Sequence, residues 1–181
     1  FIEDAEQQVK AESDIEEMQA MLDAGLAFAR GETEVEERRI IDLAELTRSL
    51  TDDLTQTDGP ARYEGPTSLT YRCGPNEMRR AISNIIRNAI AYGSEADVHL
   101  SSGPQGVELT ISDKGPGIPT DLHEQVFQPF FRIEDSRNRE TGGTGLGLAI
   151  ARTIARRHGG DVHLKNAIEG GLVVTLTLPT S

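Results

Sequence analysis

The sequence predicts an α+β fold: a two-layer α/β sandwich with a mixed sheet and helices on one face, preceded by a long amphipathic helix. Three observations carry that prediction. Apolar residues alternate with period two at Leu69/Tyr71/Cys73, Val98/Leu100, Val107/Leu109/Ile111, Val162/Leu164 and Leu172/Val174/Leu176/Leu178, the pattern of half-buried strands. Helical periods occupy residues 76–92 and 146–158. The two kinds of segment do not alternate strictly along the chain, which favours a mixed sheet covered on one side over a purely parallel one.

The elements follow in order. Over residues 11–29, apolar or small residues fall at Ala11, Ile15, Met18, Leu22, Gly25 and Ala29, with Met21 and Leu26 widening the stripe. This spacing of three and four suits a coiled coil or helix bundle. One such helix cannot bury its own stripe, so it needs partners. The segment RGETEVEER ends it as a hinge-like linker. A second region begins near Ile40, where IDLAELTRSLTDDL starts a helix with Asp42 as its N-cap. SSGPQG, between two strand candidates, and EGG, before Leu172, read as hairpin-type turns. There is no internal repeat.

Composition narrows the function classes. The 181 residues suffice for one domain plus an appendage. The opening FIEDAEQQVK reads as the inside of a helix, so the chain is expected to be a fragment. No apolar run is long enough to span a bilayer, and no signal-peptide pattern is present. The single cysteine, Cys73, excludes an internal disulfide and fits a reducing compartment. Its alternation with Leu69 and Tyr71 marks it as a core strand residue. The net charge of −12 is uneven: residues 1–60 hold 5 Lys/Arg against 17 Asp/Glu, whereas residues 61–181 hold 13 of each. An acidic segment joined to a neutral body offers no broad basic surface for nucleic acid.

The chemistry concentrates in four places. In NEMRRAISNIIRNAIAY, Met78, Ile82, Ile85, Ile86 and Ala89 form one apolar face, and Asn84, Asn88 and Tyr92 form a stripe beside it. Asparagine is a mediocre helix former. The pair at i, i+4 either marks a surface boundary or lines a polar site with an amide oxygen available to a hard cation such as Mg²⁺. In ISDKGPGIP, Asp113 closes a strand before Gly115 and Gly117. It either serves the turn or accepts a hydrogen bond from an exocyclic amine. FQPFFR sets three Phe together, expected to anchor a loop to the core, and IEDSRNRETGG follows as a polar stretch long enough for a lid, with Arg137 and Arg139. TGGTGLGLAI then runs glycines straight into a helix, either as a phosphate site at a helix N-terminus or as a flexible loop. The absence of Lys-Ser/Thr after the glycines excludes a P-loop, and their spacing does not fit a dinucleotide fold.

In this order the segments strongly resemble the ATP-binding domain of sensor histidine kinases, within the wider gyrase/Hsp90/kinase/MutL ATPase superfamily. NIIRNAIAYG resembles the N box, DKGPGIP the G1 box, FQPFFR the F box and GTGLGLAI the G2 box. The wording of the last two is most similar to the osmosensing type. The resemblance implies ATP and Mg²⁺ as ligands. Asn88 would coordinate Mg²⁺, with Asn84 one turn away near the phosphates. Tyr92 and Ile118 would lie against the adenine, Asp113 would accept from its amine, and Gly115 and Gly117 would shape the pocket. Arg132 and the lid arginines would neutralise phosphate charge. Gly143, Gly145 and Gly147 would admit the triphosphate, held by backbone groups of Thr144, Gly145, Leu146 and Gly147.

Two departures from the family pattern stand out. Lys often precedes the N-box Tyr, and here Ala91 does, which puts one phosphate contact in question. The family's phosphoacceptor His has an H-[DE]-x-[RK]-x-P setting, and none of His99, His123, His158 or His163 has it. His99 and His163 fall in strand patterns, His158 at a helix end before a capping glycine, and His123 in a polar, exposed turn. Residues 1–38 therefore resemble the second helix of a dimerisation and phosphoacceptor hairpin with its linker, the first helix missing, and residues 39–181 the catalytic domain. The resemblance implies phosphoryl transfer from ATP to a histidine outside the fragment. The implied partners are the parent's histidine hairpin and a response regulator, in a homodimeric parent anchored in the inner membrane with this domain in the cytoplasm. An ATP hydrolase is the alternative, along with a non-enzymatic nucleotide-binding dimerisation module. Hydrolase relatives carry a catalytic Glu where Asn84 stands, and an amide cannot serve as that base.

Overall fold

The computed structural model describes residues 36–133 and 144–180, together with Gly25. The predicted N-terminal helix and most of its linker lie outside the described residues, as do Arg137, Arg139 and Gly143.

Among the described residues from Glu36 onward, seven strands and three α-helices follow in the order β1 (Arg39–Asp42), α1 (Leu43–Thr57), β2 (Ala61–Glu64), β3 (Thr70–Cys73), α2 (Pro75–Gly93), β4 (Ala96–Gly103), β5 (Gly106–Ser112), α3 (Gly147–Arg157), β6 (Asp161–Asn166) and β7 (Leu172–Leu178). Short 3-10 turns at Thr120–Leu122 and Gln125–Phe127 lie between β5 and α3. The main sheet runs β2-β4-β5-β7-β6. Only β2 and β4 are parallel, and the other neighbours are antiparallel, so the sheet is mixed, as predicted.

The period-two pattern decides which face is covered. Ala96, Val98 and Leu100 of β4, Val107, Leu109 and Ile111 of β5, and Val174, Leu176 and Leu178 of β7 are buried under the helices. The residues between them face outward. From above, α2 buries Met78, Ala81, Ile82, Ile85 and Ile86 completely. Each large side chain in that set contributes about 1.5–3 kcal/mol by leaving water.

Three features depart from the sequence reading. β1 precedes the predicted helix, whose start at Leu43 and Asp42 N-cap, accepting from the Glu45 N–H at 3.1 Å, are as expected. β2 joins the edge of the main sheet. β3, which was expected among the strands of the mixed sheet, instead pairs with β1 in a separate two-stranded sheet. Its Cys73 is fully buried, as the alternation required.

The last linker residues are fastened to the body. Gly74, the N-cap position of α2, has no side chain to offer. The Glu36 carboxylate takes that role, accepting from the Asn76 and Glu77 N–H groups, both at 2.9 Å. Arg38 donates to the carbonyl of Arg157 at the last turn of α3.

Candidate functional site

Two helices meet where the site lies. Asn84 and Asn88 sit half-buried on α2, on the side facing the N-terminus of α3. A Cβ placed on Gly147, the first residue of α3, would stand 3.4 Å from Asn88 Nδ2, 3.5 Å from Asn88 Oδ1 and 3.7 Å from Asn84 Cβ. Leu146 at the cap makes no side-chain hydrogen bond to the helix. Among the described residues nothing caps the first N–H groups of α3, which have the helix dipole behind them. Leu146 is itself buried and ties this turn to the core. Asn84 Nδ2 is buried without a hydrogen-bond partner among the described residues. A buried amide left so costs about 1–3 kcal/mol, a cost that a bound acceptor removes.

Gly145 has a reason of its own to be glycine. Its φ is +70°, and a Cβ there would lie 2.9 Å from Phe130 C and Phe131 O. The Phe130 N–H donates to Gly145 O at 3.1 Å. The glycine thus joins the Phe-rich segment to the turn before α3, a packing role that the phosphate reading alone did not supply. Thr144 is half-buried just before it.

At the far end of α2, Tyr92 and Gly93 run against the loop after β5. A Cβ on Gly115 would stand 2.6 Å from Tyr92 O, and one on Gly93 would stand 2.4 Å from Asp113 Cβ. Asp113 Oδ1 accepts from the Gly115 N–H at 2.7 Å and from the Leu172 N–H at 3.1 Å. Oδ2 has no hydrogen-bond partner among the described residues. Burial pushes the Asp113 carboxyl above its ordinary value, and the two N–H groups work against that rise. Tyr92 is 47% exposed, and Ile118 is partly buried against the core beyond Gly117. The structure thus brings Tyr92, Asp113 and Gly115 together at one end of α2, with Gly117 and Ile118 farther along the same loop against Asn166, and it brings Asn84, Asn88 and Gly147 together at the α2–α3 contact, with Thr144, Gly145 and Leu146 in the turn before α3.

The Phe-rich segment divides. Phe127 packs on the core, with the Arg152 guanidinium 4.2 Å from its ring centre. Arg152 also pairs with Asp161 and Glu124, both at 2.8 Å. Burial tends to raise the Asp161 carboxyl, but hydrogen bonds from Arg152, Arg156 and the Val162 N–H outweigh it and hold the group well below the usual carboxylate range. Phe130, however, is 54% exposed with φ +65°, which corrects the expectation that all three rings anchor the loop. Arg132 follows on the same segment.

The histidines also take definite places. His158 is 4% exposed. Its Nε2 accepts from the Gly74 N–H at 3.1 Å, so Nδ1 carries the proton that it donates to Ile154 O at 2.9 Å. His99 and His163 point outward from β4 and β6. His123, expected to be exposed, is half-buried and bonds through Nε2 to Ile118 O at 3.0 Å. Asn166, Leu172, Arg152 and Glu36 carry positions that no motif flagged, because their partners lie far away in sequence.

Comparisons with known proteins bear on the family and the fold. The family model described as histidine kinase-, DNA gyrase B-, and HSP90-like ATPase matches residues 73–181. The sensor histidine kinase GtrS of Pseudomonas aeruginosa is 36% identical over 99% of this chain and 37% of its own length. The ATP binding domain of PrrB from Mycobacterium tuberculosis superposes with TM-score 0.66 at 26% identity, over 81% of this chain and 99% of that one. The histidine kinase domain of the E. coli osmosensor EnvZ does so with TM-score 0.62 at 29% identity, over 82% and 91%. The chain belongs to the histidine kinase-, DNA gyrase B-, and HSP90-like ATPase family. Within it, the chain falls in the sensor histidine kinase branch, as the ATP-binding catalytic domain. It spans about a third of the length of GtrS. Among the described residues, no helix is long and apolar enough to cross a membrane.

Proposed function

We propose that this chain binds Mg²⁺-ATP between α2, α3 and the loop after β5, and delivers the γ-phosphoryl group to a histidine outside the fragment. The observation that carries the reading is the approach of Asn88 to Gly147, which sets two carboxamides against the uncapped N-terminus of α3. Backbone N–H groups there would receive phosphate oxygens, and Asn84 would satisfy its buried amide on one of them. Asp113 would accept from the adenine amine through Oδ2, with Tyr92 and Ile118 against the base. Arg132 and the arginines beyond it would neutralise phosphate charge.

The residues fit a Mg²⁺ ion of the kind that needs few protein ligands. Among the described residues no group of three or more His, Cys, Asp or Glu could cage a metal. An ion held by the Asn88 oxygen would therefore complete its shell with phosphate and water oxygens. When bound, it would supply charge neutralisation to the phosphates. The chain's own part is to hold the triphosphate and the base in place, the main contribution protein makes to phosphoryl transfer.

Residues 1–38 are read as the second hairpin helix and linker, and 39–181 as the catalytic domain. Response-regulator phosphorylation, dimerisation and a cytoplasmic position beneath a membrane-anchored parent extend the same reading. An amide at Asn84 disfavours the hydrolase alternative, for it cannot take a proton from water.

The test is a phosphorylation assay on the 181-residue chain with and without the complete histidine hairpin of its parent. Acid-labile phosphate is expected on the hairpin and absent from the chain. Phosphate on the chain would overturn the assignment of the acceptor to another segment. ATP turnover without any acceptor would favour the hydrolase.

A further inference from the structure

The β6–β7 hairpin ends on a single rung, the register pair of Asn166 with Leu172. Both residues of that rung reach the loop after β5. On one side, the Asp113 N–H donates to Leu172 O at 3.0 Å, and the Leu172 N–H donates to Asp113 Oδ1 at 3.1 Å. On the other, the Ile118 N–H donates to Asn166 Oδ1 at 2.9 Å, and Asn166 Nδ2 donates to Ile118 O at 2.7 Å. The Asn166 carboxamide thus copies the two-bond exchange of an antiparallel strand pair, without a strand on the far side. The approach is close: a Cβ on Gly117 would stand 2.7 Å from Asn166 Oδ1, and one on Gly171 would stand 1.9 Å from Asp113 O.

We propose that Asn166 is a positioning residue for the purine base. It fixes where Ile118 stands relative to Asp113, and so sets the width of the pocket between the acceptor and the apolar wall. The proposal rests on the ATP-site reading above. Between Asp113 and Ile118 the chain reads Lys-Gly-Pro-Gly, and its two glycines hold no preferred path. The rung supplies that path by gripping the loop at both ends. Asparagine is suited to the task because its side chain offers one acceptor and one donor at the spacing of a peptide group. Asn166 is exposed, so replacing it opens no cavity in the core.

The test uses the 181-residue chain with Asn166→Ala and Asn166→Asp, titrated with Mg²⁺-ATP and Mg²⁺-ADP well below the thermal midpoint of each protein. Asn166→Ala is expected to weaken both nucleotides by the same factor, about three- to thirtyfold, since the base end is common to them. Asn166→Asp keeps the acceptor for the Ile118 N–H but sets a carboxylate oxygen against Ile118 O, so its loss should be at least as large. Wild-type binding with an unchanged Kd in both variants, whatever happens to the midpoint, would overturn the proposal alone. So would a loss confined to ATP, which would point to the phosphate end. A wild-type chain that binds neither nucleotide would overturn the ATP-site reading and the proposal with it.

Discussion

Leu172 donates its N–H to Asp113 Oδ1 at 3.1 Å, across 59 residues of sequence. Together with the Gly115 N–H at 2.7 Å, this occupies one carboxylate oxygen with backbone donors and leaves the other without a partner among the described residues. An aspartate serving only its own turn would need the Gly115 bond and nothing from β7. The second bond holds the carboxylate in a fixed direction, which is what reading a base requires.

Charge on Asp113 should set stability and binding against each other. Burial raises its carboxyl above the ordinary value of 3.8 despite the two N–H bonds. A raised folded-state value means that the ligand-free domain gains relative stability as pH falls through it, and loses that gain as pH rises. ATP binding, which needs the ionised acceptor, should weaken over the same interval. Thermal midpoints and ATP Kd values measured from pH 7 downward check this. Asp113→Asn, which keeps an oxygen for both N–H groups, should equal or exceed the wild-type midpoint at pH 7.

Asn88→Ala should remove the Mg²⁺ dependence of ATP affinity, because it deletes the one amide oxygen assigned to the ion. Asn84→Ala should have a milder effect. ATP titrations with and without Mg²⁺ separate the two. An Asn88→Ala protein whose ATP affinity still rises with Mg²⁺ as in wild type would place the ion elsewhere.

The two glycines before and at the start of α3 should behave differently on replacement by alanine. Gly145→Ala forces an L side chain to φ +70° and against the Phe130 and Phe131 backbone. The left-handed backbone alone costs about 1–2 kcal/mol, so denaturant unfolding should show at least that loss. Gly147→Ala lands in ordinary contact with the Asn88 amide at 3.4 Å. Its helical position should hold stability level or raise it by about 0.5–1 kcal/mol, while nucleotide affinity falls. Equal stability losses in both variants would contradict this division.

Asp42 should carry an acid-sensitive contact. A hydrogen bond from Ser68, then N–H bonds from Leu69 and Glu45, hold its carboxyl down to about 2. A depressed carboxylate contributes stability above its unfolded value near 3.8, and that contribution is lost as pH falls toward 2. The stability gap between wild type and Asp42→Asn should therefore be full at pH 5 and close between about pH 4 and 2. A gap independent of pH over that range would show that the charge at the cap does not matter.

What could be read from the sequence was local or periodic. The β7 alternation, the Met78–Ile86 face of α2 and the Asp42 cap each announce themselves within a few residues. β1 and β2 did not, for RIID and ARYE are four residues long and half charged, and only their partners β3 and β4 make strands of them. The cap on α2 was hidden because it comes from Glu36, 40 residues earlier. Phe130 read as an anchor of the loop by composition, but its backbone turns at φ +65° with its N–H on Gly145 O, and its side chain is 54% exposed. Asn166 was invisible because its partners, the N–H and C=O of Ile118, carry no side-chain signature.

Competition between ATP and GTP tests most directly the proposed reading of an adenine base by Asp113. A carboxylate oxygen aimed at the purine six-position accepts from adenine's amine but faces guanine's carbonyl oxygen. A hydrogen bond to a charged group is worth about 1.5–3 kcal/mol. At about 1.4 kcal/mol per decade, ATP should be preferred by roughly tenfold to several hundredfold. Asp113→Asn should weaken ATP binding and shrink the preference, since the amide can turn a donor toward guanine. An ATP/GTP ratio in the Asn variant equal to that of wild type would contradict the account, and would leave Asp113 with only its bonds to Gly115 and Leu172.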